Sequence, residues 1–160
     1  MSPSWLVIGL GNPGPRYDGT RHNVGADVVT ELCLRAGEKL SPARRQQAEL
    51  VRTRVSSAGL GVPAADAQAV TLMRSRTYMN ESGIAVRKVA SVAGITPDHL
   101  IVVHDEIDLD PGRLRLKKGG GDNGHNGLKS IRAHMRTGDF IRVRVCLLYT
   151  SDAADEGLGV

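Results

Sequence analysis

Short apolar runs of the kind that form buried strands alternate along this chain with amphipathic helical stripes, and few folds accept that order. Residues 5–10 are such a run, and residues 24–36 repeat apolar side chains at helical spacing before Gly37. Further strands are predicted at residues 49–55, 69–73, 100–103, 113–118 and 140–145, and further helices at residues 81–93 and 128–135. The alternation predicts a single three-layer α/β domain, in which a mixed, mostly parallel, twisted sheet is flanked by helices.

A turn with the sequence Asp-Pro-Gly at residues 110–112 connects two predicted strands and is too short for a crossover. The sheet is therefore expected to include some antiparallel strands. At 160 residues, without an internal repeat or an interdomain linker, the chain has the size of one domain whose core needs no disulfide or metal. Cys33 and Cys146 do not make a disulfide framework and fit a reducing compartment. Neither a signal peptide nor a stretch of membrane-spanning length is expected.

Asn and His residues gather where predicted strands give way to loops or helices. They stand in Gly-Leu-Gly-Asn-Pro-Gly at residues 9–14, Thr-Arg-His-Asn at 20–23, Thr-Tyr-Met-Asn at 77–80 and Gly-His-Asn-Gly at 124–127. Asn is a poor residue inside helices, but its amide both donates and accepts hydrogen bonds. Asp105 adds a carboxylate directly after the apolar strand at residues 100–103. Because open α/β sheets bind ligands at the carboxyl ends of their strands, these segments predict a site.

Basic side chains follow one another in three consecutive elements near the end of the chain. They are Arg113, Arg115 and Lys117 on one strand face, Lys129, Arg132 and Arg136 on one helix face, and Arg142 and Arg144 on a last strand. Each face alone is explained as a solvated surface. Three basic faces in succession, beside the Gly-Gly-Gly loop at residues 119–121, favour a phosphate-binding surface. The net charge of +4 and the pI near 9.4 admit an acidic partner such as nucleic acid.

Two other kinds of site are less well supported by the sequence. Gly9, Gly11 and Gly14 have the spacing of a dinucleotide-binding loop, which would suit a nucleotide-dependent oxidoreductase. Pro13 removes an N–H that should face the pyrophosphate, and residues 32–36 lack the acid that binds the ribose. The acids around Asp105 lack both the terminal Glu of a calcium loop and a repeated His or Cys spacing, so we expect no metal.

Several motifs together resemble one known family over about residues 5–145. The matching segments are GLGNPG with Tyr17, TRHN with Gly25, TYMN with Ser82-Gly83, Asp105-Glu106 with Asp108-Leu109, and GHNGLKS from Gly124 to Ser130. They resemble bacterial peptidyl-tRNA hydrolase. The resemblance implies a monomeric cytoplasmic esterase that cleaves the bond between a peptide and the 3′-terminal ribose of tRNA. Such an enzyme recycles tRNA from aborted translation, and neither a metal nor an organic cofactor is implied.

Residue roles are also implied by the resemblance. His22 would be the base that deprotonates water, Asp105 the carboxylate that orients it, and Asn12 the residue that distinguishes blocked peptidyl-tRNA from aminoacyl-tRNA. An imidazole suits the first role because its unperturbed pKa lies near the working pH. The implied binding residues are Asn80 and Asn126 for the peptide end and the water, Tyr17 and Tyr78 on the tRNA side, and Lys117, Arg144 and Lys129 for the 5′-phosphate. A catalytically inactive tRNA-binding relative is the alternative, although His22 and Asp105 are both present.

The sequence departs from the family pattern at two places. Arg74 is followed by Ser75 where the family usually has Pro, a change expected to loosen that loop without touching a reacting group. After Val145 the family continues into a Gly-rich turn and closing helices, whereas residues 146–156 look like a translated sequencing adaptor. We therefore expect residues 1–145 to be a catalytic domain that is incomplete at its C-terminus, and residues 146–160 to be a non-native tail.

Overall fold

The computed structural model describes residues 4–13, 23–106, 114–122 and 124–146. The strands in these residues are β1 Trp5–Gly9, β2 Ser41–Ala43, β3 Ala48–Ser56, β4 Gly59–Leu60, β5 Gln68–Ser75, β6 Leu100–Asp105, β7 Leu114–Lys118 and β8 Ile141–Val145. The α-helices are α1 Val24–Arg35, α2 Ser82–Ala93 and α3 Asn126–Met135. No helix in the described ranges has the length and apolar character needed to cross a membrane. The turn predicted at residues 110–112 lies outside them.

All but one of the strands follow one another across a single sheet in the order β2-β3-β5-β1-β6-β8-β7, and β4 pairs with β3. The central strands β5, β1, β6 and β8 run parallel, whereas β3 and β7 run antiparallel to their neighbours. The predicted mixed α/β sheet is thereby confirmed. Strands β6 and β7 point in opposite directions, as the short turn predicts, but β8 lies between them. Every residue of β7 is exposed, which suits an edge strand, whereas β8 is largely covered.

Helices cover both faces of the sheet, so the predicted three layers are present. Leu6 and Ile8 of β1 face the core cluster formed with α2 and α3. Val7 points the other way and packs in a second cluster with Val29 and Cys33 of α1. This division follows from the period of two along a strand. Each large aliphatic side chain buried in these layers contributes about 1.5–3 kcal/mol to folding.

The beginning of α1 lies directly on the ends of β1 and β6. A Cβ on Gly9 would overlap the carbonyl oxygen of Gly25, and a Cβ on Gly25 would overlap that of Val103. Ala26 N donates to Leu10 O at 3.1 Å, and this bond holds the helix at that height. Only glycine permits such a close approach of backbones. The loop after β1 and the first turn of α1 are therefore fixed relative to the end of β6.

Candidate active site

The loop after β1 and the end of β6 form one side of the candidate site. Leu10 N donates to Val103 O at 2.9 Å, which extends the pairing of the two strands past the end of β1. Asn12 follows in this loop, and Asp105 is the last residue of β6. Asp105 is buried, whereas the side chain of Asn12 is half-buried. The two residues that the sequence analysis assigned to catalysis and that the structure describes thus lie at the carboxyl edge of adjacent strands.

The start of α3 closes the other side through Gly127. A Cβ on Gly127 would lie 2.7 Å from Met79 Sδ, 2.8 Å from Leu10 Cδ1 and 3.1 Å from His125 Cε1. These atoms belong to three separated segments, and a side chain at this position would require the ends of Met79 and Leu10 to shift. The TYMN and GHNG motifs of the sequence are therefore in contact with the end of β1.

Asn12 is held by hydrogen bonds on its backbone and on its side chain. Asn23, which is 3% exposed, accepts from Asn12 N through Oδ1 at 2.9 Å and donates from Nδ2 to Asn12 O at 2.9 Å. The Oδ1 of Asn12 accepts from Met79 N at 2.6 Å. Because the oxygen is engaged by a backbone donor, the free side of the amide is Nδ2, which can only donate. Asn12 therefore offers a hydrogen-bond donor to a ligand.

Asp105 is anchored by a histidine to which the sequence analysis gave no role. His125 Nε2 lies 2.8 Å from Asp105 Oδ1, and both side chains are at most 10% exposed. The other ring nitrogen, Nδ1, accepts from Gly127 N at 3.1 Å and caps α3. Since Nδ1 accepts, the proton of a neutral ring must lie on Nε2, which donates to the carboxylate. This cap also explains why α3 begins at residue 126 and not at the predicted residue 128.

A second histidine, His104, is packed beneath this pair. Its ring is 1% exposed and lies edge-on to the ring of His125 with centroids 5.2 Å apart. Nδ1 donates to the carbonyl oxygen of Asp105 at 2.7 Å, and the buried Nε2 has no hydrogen-bond partner among the described residues. Burial lowers the pKa of His104 to about 4, although the bond to the carbonyl acts in the opposite direction. The ring is therefore neutral at neutral pH.

Of the other residues predicted to act near the ester, some are exposed at the site and some are not described by the structure. Tyr78, Asn80 and Asn126 expose their side chains, and they flank Met79 and His125 at the site. His22 and Tyr17 lie outside the described residues. Ser75, the departure from the family pattern, is buried and donates from Oγ to Thr77 O at 3.3 Å.

Lys117 and Arg144 lie on the same face of the β7–β8 pair. The antiparallel register sets Arg115 opposite Arg144 and Lys117 opposite Arg142. The two residues predicted to clamp a phosphate are therefore diagonal neighbours across the ladder, within reach of one ligand. Arg144 also faces an acid, since its Nε is 3.7 Å from Glu106 Oε2. Lys117 is exposed, as is Lys129 on the first turn of α3.

The basic face predicted for β8 is wrong in one respect. Arg142 is not a solvated residue but is 0% exposed. Its guanidinium lies 4.3 Å above the ring of Phe140, and Nη1 donates to Gly138 O at 2.9 Å. The alternation along the strand correctly set Arg142 apart from the valines. The alternation contained no information about the segments that cover this face of the strand.

Comparison with known proteins assigns the chain to a family. The family model described as peptidyl-tRNA hydrolase matches residues 6–147. The chain belongs to the peptidyl-tRNA hydrolase family. A peptidyl-tRNA hydrolase of Cutibacterium acnes is 91% identical over 145 residues, which are 91% of this chain and 72% of that protein. The peptidyl-tRNA hydrolase of Mycobacterium marinum is 46% identical over 145 residues, covering 91% of this chain and 71% of its own length.

The solved structures agree with the fold of a peptidyl-tRNA hydrolase. The crystal structure of the enzyme from Acinetobacter baumannii superposes with a TM-score of 0.79 at 35% identity, and the match covers 97% of this chain and 73% of that one. The chain is thus an enzyme of the hydrolase class, and the comparisons do not support the inactive alternative. Among the residues that the structure describes, no three His, Cys, Asp or Glu side chains are grouped so that they could hold a metal ion.

Proposed function

We propose that the chain hydrolyses the ester between the peptide and the 3′-terminal ribose of peptidyl-tRNA, and so recycles tRNA from aborted translation. The observation that carries this proposal is the anchored carboxylate. Asp105 is buried at a strand end, 2.8 Å from His125, and faces the same edge as the amide of Asn12. A fixed carboxylate and a fixed amide donor are what water-mediated ester cleavage requires beside a base. Family membership supplies the substrate class.

In the proposed reaction, His22 takes a proton from a water molecule, whose oxygen attacks the ester carbonyl carbon. We assign one oxygen of Asp105 to His125 and the other to His22, so that the carboxylate orients the base. The tetrahedral oxyanion would be stabilised by amide donors, with Asn12 Nδ2 as the first candidate because its oxygen is already engaged. Such a donor contributes about 3 kcal/mol in the transition state, or a hundredfold in rate. Collapse of the tetrahedral intermediate breaks the bond between the carbonyl carbon and the ribose 3′ oxygen, and this oxygen takes the proton from His22.

Substrate binding is assigned to the exposed residues around this centre. Asn80 and Asn126 would hold the peptide end and the attacking water, and Tyr17 and Tyr78 would line the tRNA side. We assign the 5′-phosphate to Lys117 and Arg144, with Lys129 adding to the positive field. The register that makes Lys117 and Arg144 diagonal neighbours supports this assignment. We further propose that the enzyme acts as a monomer in the cytoplasm, without a metal or an organic cofactor.

The test of this mechanism compares two substrates and two variants. N-acetyl-aminoacyl-tRNA should be hydrolysed, and the same tRNA with a free amino group should not. His22→Ala should lose nearly all turnover and keep its tRNA affinity, whereas Asp105→Asn should be milder, because it removes orientation and charge but not the base. A His22→Ala enzyme with near-normal kcat would end the proposed mechanism.

We also propose that the catalytic domain comprises residues 1–145, that it is incomplete at its C-terminus, and that residues 146–160 are a non-native tail without a role in activity. The match to the Cutibacterium acnes relative spans 145 residues of this chain and 72% of that protein. Leu114 and Leu116 of the edge strand are 63% and 72% exposed, which invites pairing with another chain. Three forms would be compared for stability and hydrolysis: the 160-residue chain, the chain ended at Val145, and the chain extended with the segment of the Cutibacterium acnes relative. Equal stability and activity of the first and third forms would refute the proposal.

A further inference from the structure

Basic residues along α3 line a surface hollow, and of these only Lys129 has a role in the function proposed above. We name it the α3 pocket, and its lining residues are Lys129, Arg132, Ala133, Arg136, Thr137, Gly138 and Asp139. Lys129, Arg132 and Arg136 are exposed and lie on one side of the helix. The pocket thus presents three cationic side chains to solvent at one place.

A fourth cation lies beneath the pocket. Arg142 is 0% exposed, and its Nε and Nη2 have no hydrogen-bond partner in the part of the chain that the structure describes. A Cβ on Gly138 would lie 3.6 Å from both Arg132 Nε and Arg142 Nη2. The two guanidinium groups therefore converge on the open side of Gly138. Arg142 does not reach solvent, so it acts on the pocket through its charge, which adds to the field of the exposed cations.

The acids near the pocket do not neutralise these cations. Asp122 lies between two guanidinium groups, with Oδ2 3.7 Å from Arg132 Nη1 and Oδ1 3.8 Å from Arg142 Nη2. Neither distance is that of a hydrogen bond, and one carboxylate faces two positive groups. Asp139 is exposed at the rim of the pocket. With Lys129 and Arg136 included, the positive groups outnumber the acids, and the excess attracts an anion.

Arg136 stands in a backbone conformation that favours glycine. Its φ is 62°, in the left-handed region, at the C-cap of α3. Gly94 occupies the corresponding C-cap position of α2, with a φ of 68°. A basic residue near a helix C-terminus is favourable for the helix dipole, which explains a charge in the last turn. The dipole does not explain why an arginine stands at a position that glycine adopts without strain, and residues in this conformation are enriched at functional sites.

We propose that the α3 pocket binds a backbone phosphate of the tRNA, separate from the 5′-phosphate assigned to Lys117 and Arg144. Lys117 lies directly opposite Arg142 in the β7–β8 register, so the buried guanidinium that underlies the pocket is next to a residue of the 5′-phosphate site. A phosphodiester offers acceptors to the exposed guanidinium groups of Arg132 and Arg136. This inference rests on the proposed function for its choice of an RNA ligand.

The decisive variant is Arg136→Gly, which removes the charge and relieves the backbone. Its thermal midpoint should equal or exceed that of the wild-type chain. Its Kd for uncharged tRNA should rise about five- to tenfold at roughly 0.1 M salt, and the slope of log K against log salt should fall by about one. Arg87→Gln, an exposed arginine on α2, is the matched charge control and should leave both quantities unchanged.

Two further RNAs separate the α3 pocket from the 5′-phosphate site. Removing the 5′-phosphate from the tRNA should leave the loss of affinity caused by Arg136→Gly unchanged. An N-acetyl-aminoacyl trinucleotide that ends in the same 3′ adenosine should bind the variant as well as it binds the wild-type chain. Three outcomes would overturn the proposal: unchanged tRNA affinity in Arg136→Gly, an equal loss of affinity for the trinucleotide, or an equal loss of tRNA affinity in Arg87→Gln. A wild-type chain that binds tRNA but does not hydrolyse its peptidyl ester would refute the proposed function alone.

Discussion

Acid should destabilise this protein through His104, and the size of the effect follows from its burial. The unfolded chain binds a proton to this imidazole as the pH falls through about 6.5. The folded protein does so only near pH 4, because burial lowers the pKa to about 4. The unfolded state therefore gains protons first, and stability is lost as the pH falls from about 6.5 towards 4. At about pH 4.5 protonation of this single group in the unfolded state lowers the free energy of unfolding by roughly 2–3 kcal/mol.

The assay compares thermal unfolding of the wild-type chain and His104→Asn at about pH 7 and about pH 4.5. The asparagine of the variant keeps an N–H donor for the carbonyl of Asp105, but it does not titrate in this range. Between the two pH values, the wild-type midpoint should fall by about 5–10 °C more than that of the variant. His99→Asn, at a half-buried histidine near the surface, is the control and should retain the full wild-type difference. If His104→Asn loses as much stability in acid as the wild type, the ring is not held neutral by burial and the reasoning is wrong.

Three other substitutions test the scaffold around the site. Asn23→Ala removes two hydrogen bonds to the backbone of Asn12 and should cost about 1–3 kcal/mol of stability. A displacement of Asn12 by about 1 Å should also lower kcat/KM roughly a hundredfold, and Asn23→Asp should lose at least as much of both, because its second oxygen cannot donate to Asn12 O and would be a buried charge. Gly25→Ala should abolish soluble expression, since its Cβ would overlap a carbonyl of β6, whereas Gly121→Ala has open space and should fold normally. His125→Ala should lower stability by about 1–3 kcal/mol and reduce kcat while leaving tRNA affinity unchanged, as hydrolysis and binding assays would show. A normal kcat in His125→Ala would contradict the role given to that contact.

Much of the fold could be predicted because its signals are local. The apolar run at residues 5–10 and the helical stripe at residues 24–36 each report a periodicity that a single element satisfies. Strand order has no such signal. Placing β8 between β6 and β7 depends on which strand is better covered, and the coverage comes from segments far along the chain. The short strands β2 and β4 were missed for the same reason, since pairing with β3 defines them.

The candidate site divides in the same way. Asp105 could be found from sequence because a carboxylate directly after a buried strand is a local pattern. His125 and Asn23 could not be assigned, since their roles lie in contacts to Asp105 and Asn12 that span 20 and 11 residues. The sequence signal for His125 was its place in the Gly-His-Asn-Gly segment, which predicted a site but no partner for the ring. Arg142 was misjudged as solvated because the segment that buries it is not part of its own strand.

The geometry of the site is set by backbones in contact more than by the side chains that would perform the chemistry. The overlap that any Cβ on Gly9 or Gly25 would cause means that α1, β1 and β6 approach as closely as peptide groups allow. Asn23 directly precedes α1 at this contact, and its side-chain amide makes both of its hydrogen bonds with the backbone of Asn12. Gly127 lets the start of α3 pack closely against the side chains of Met79 and Leu10. An enzyme that must place an amide donor to within fractions of an ångström gains from such a frame, because packed backbones deform less than loops. Substitutions at these glycines should therefore impair catalysis and folding together, whereas changes at the exposed Asn80 or Asn126 should affect hydrolysis alone.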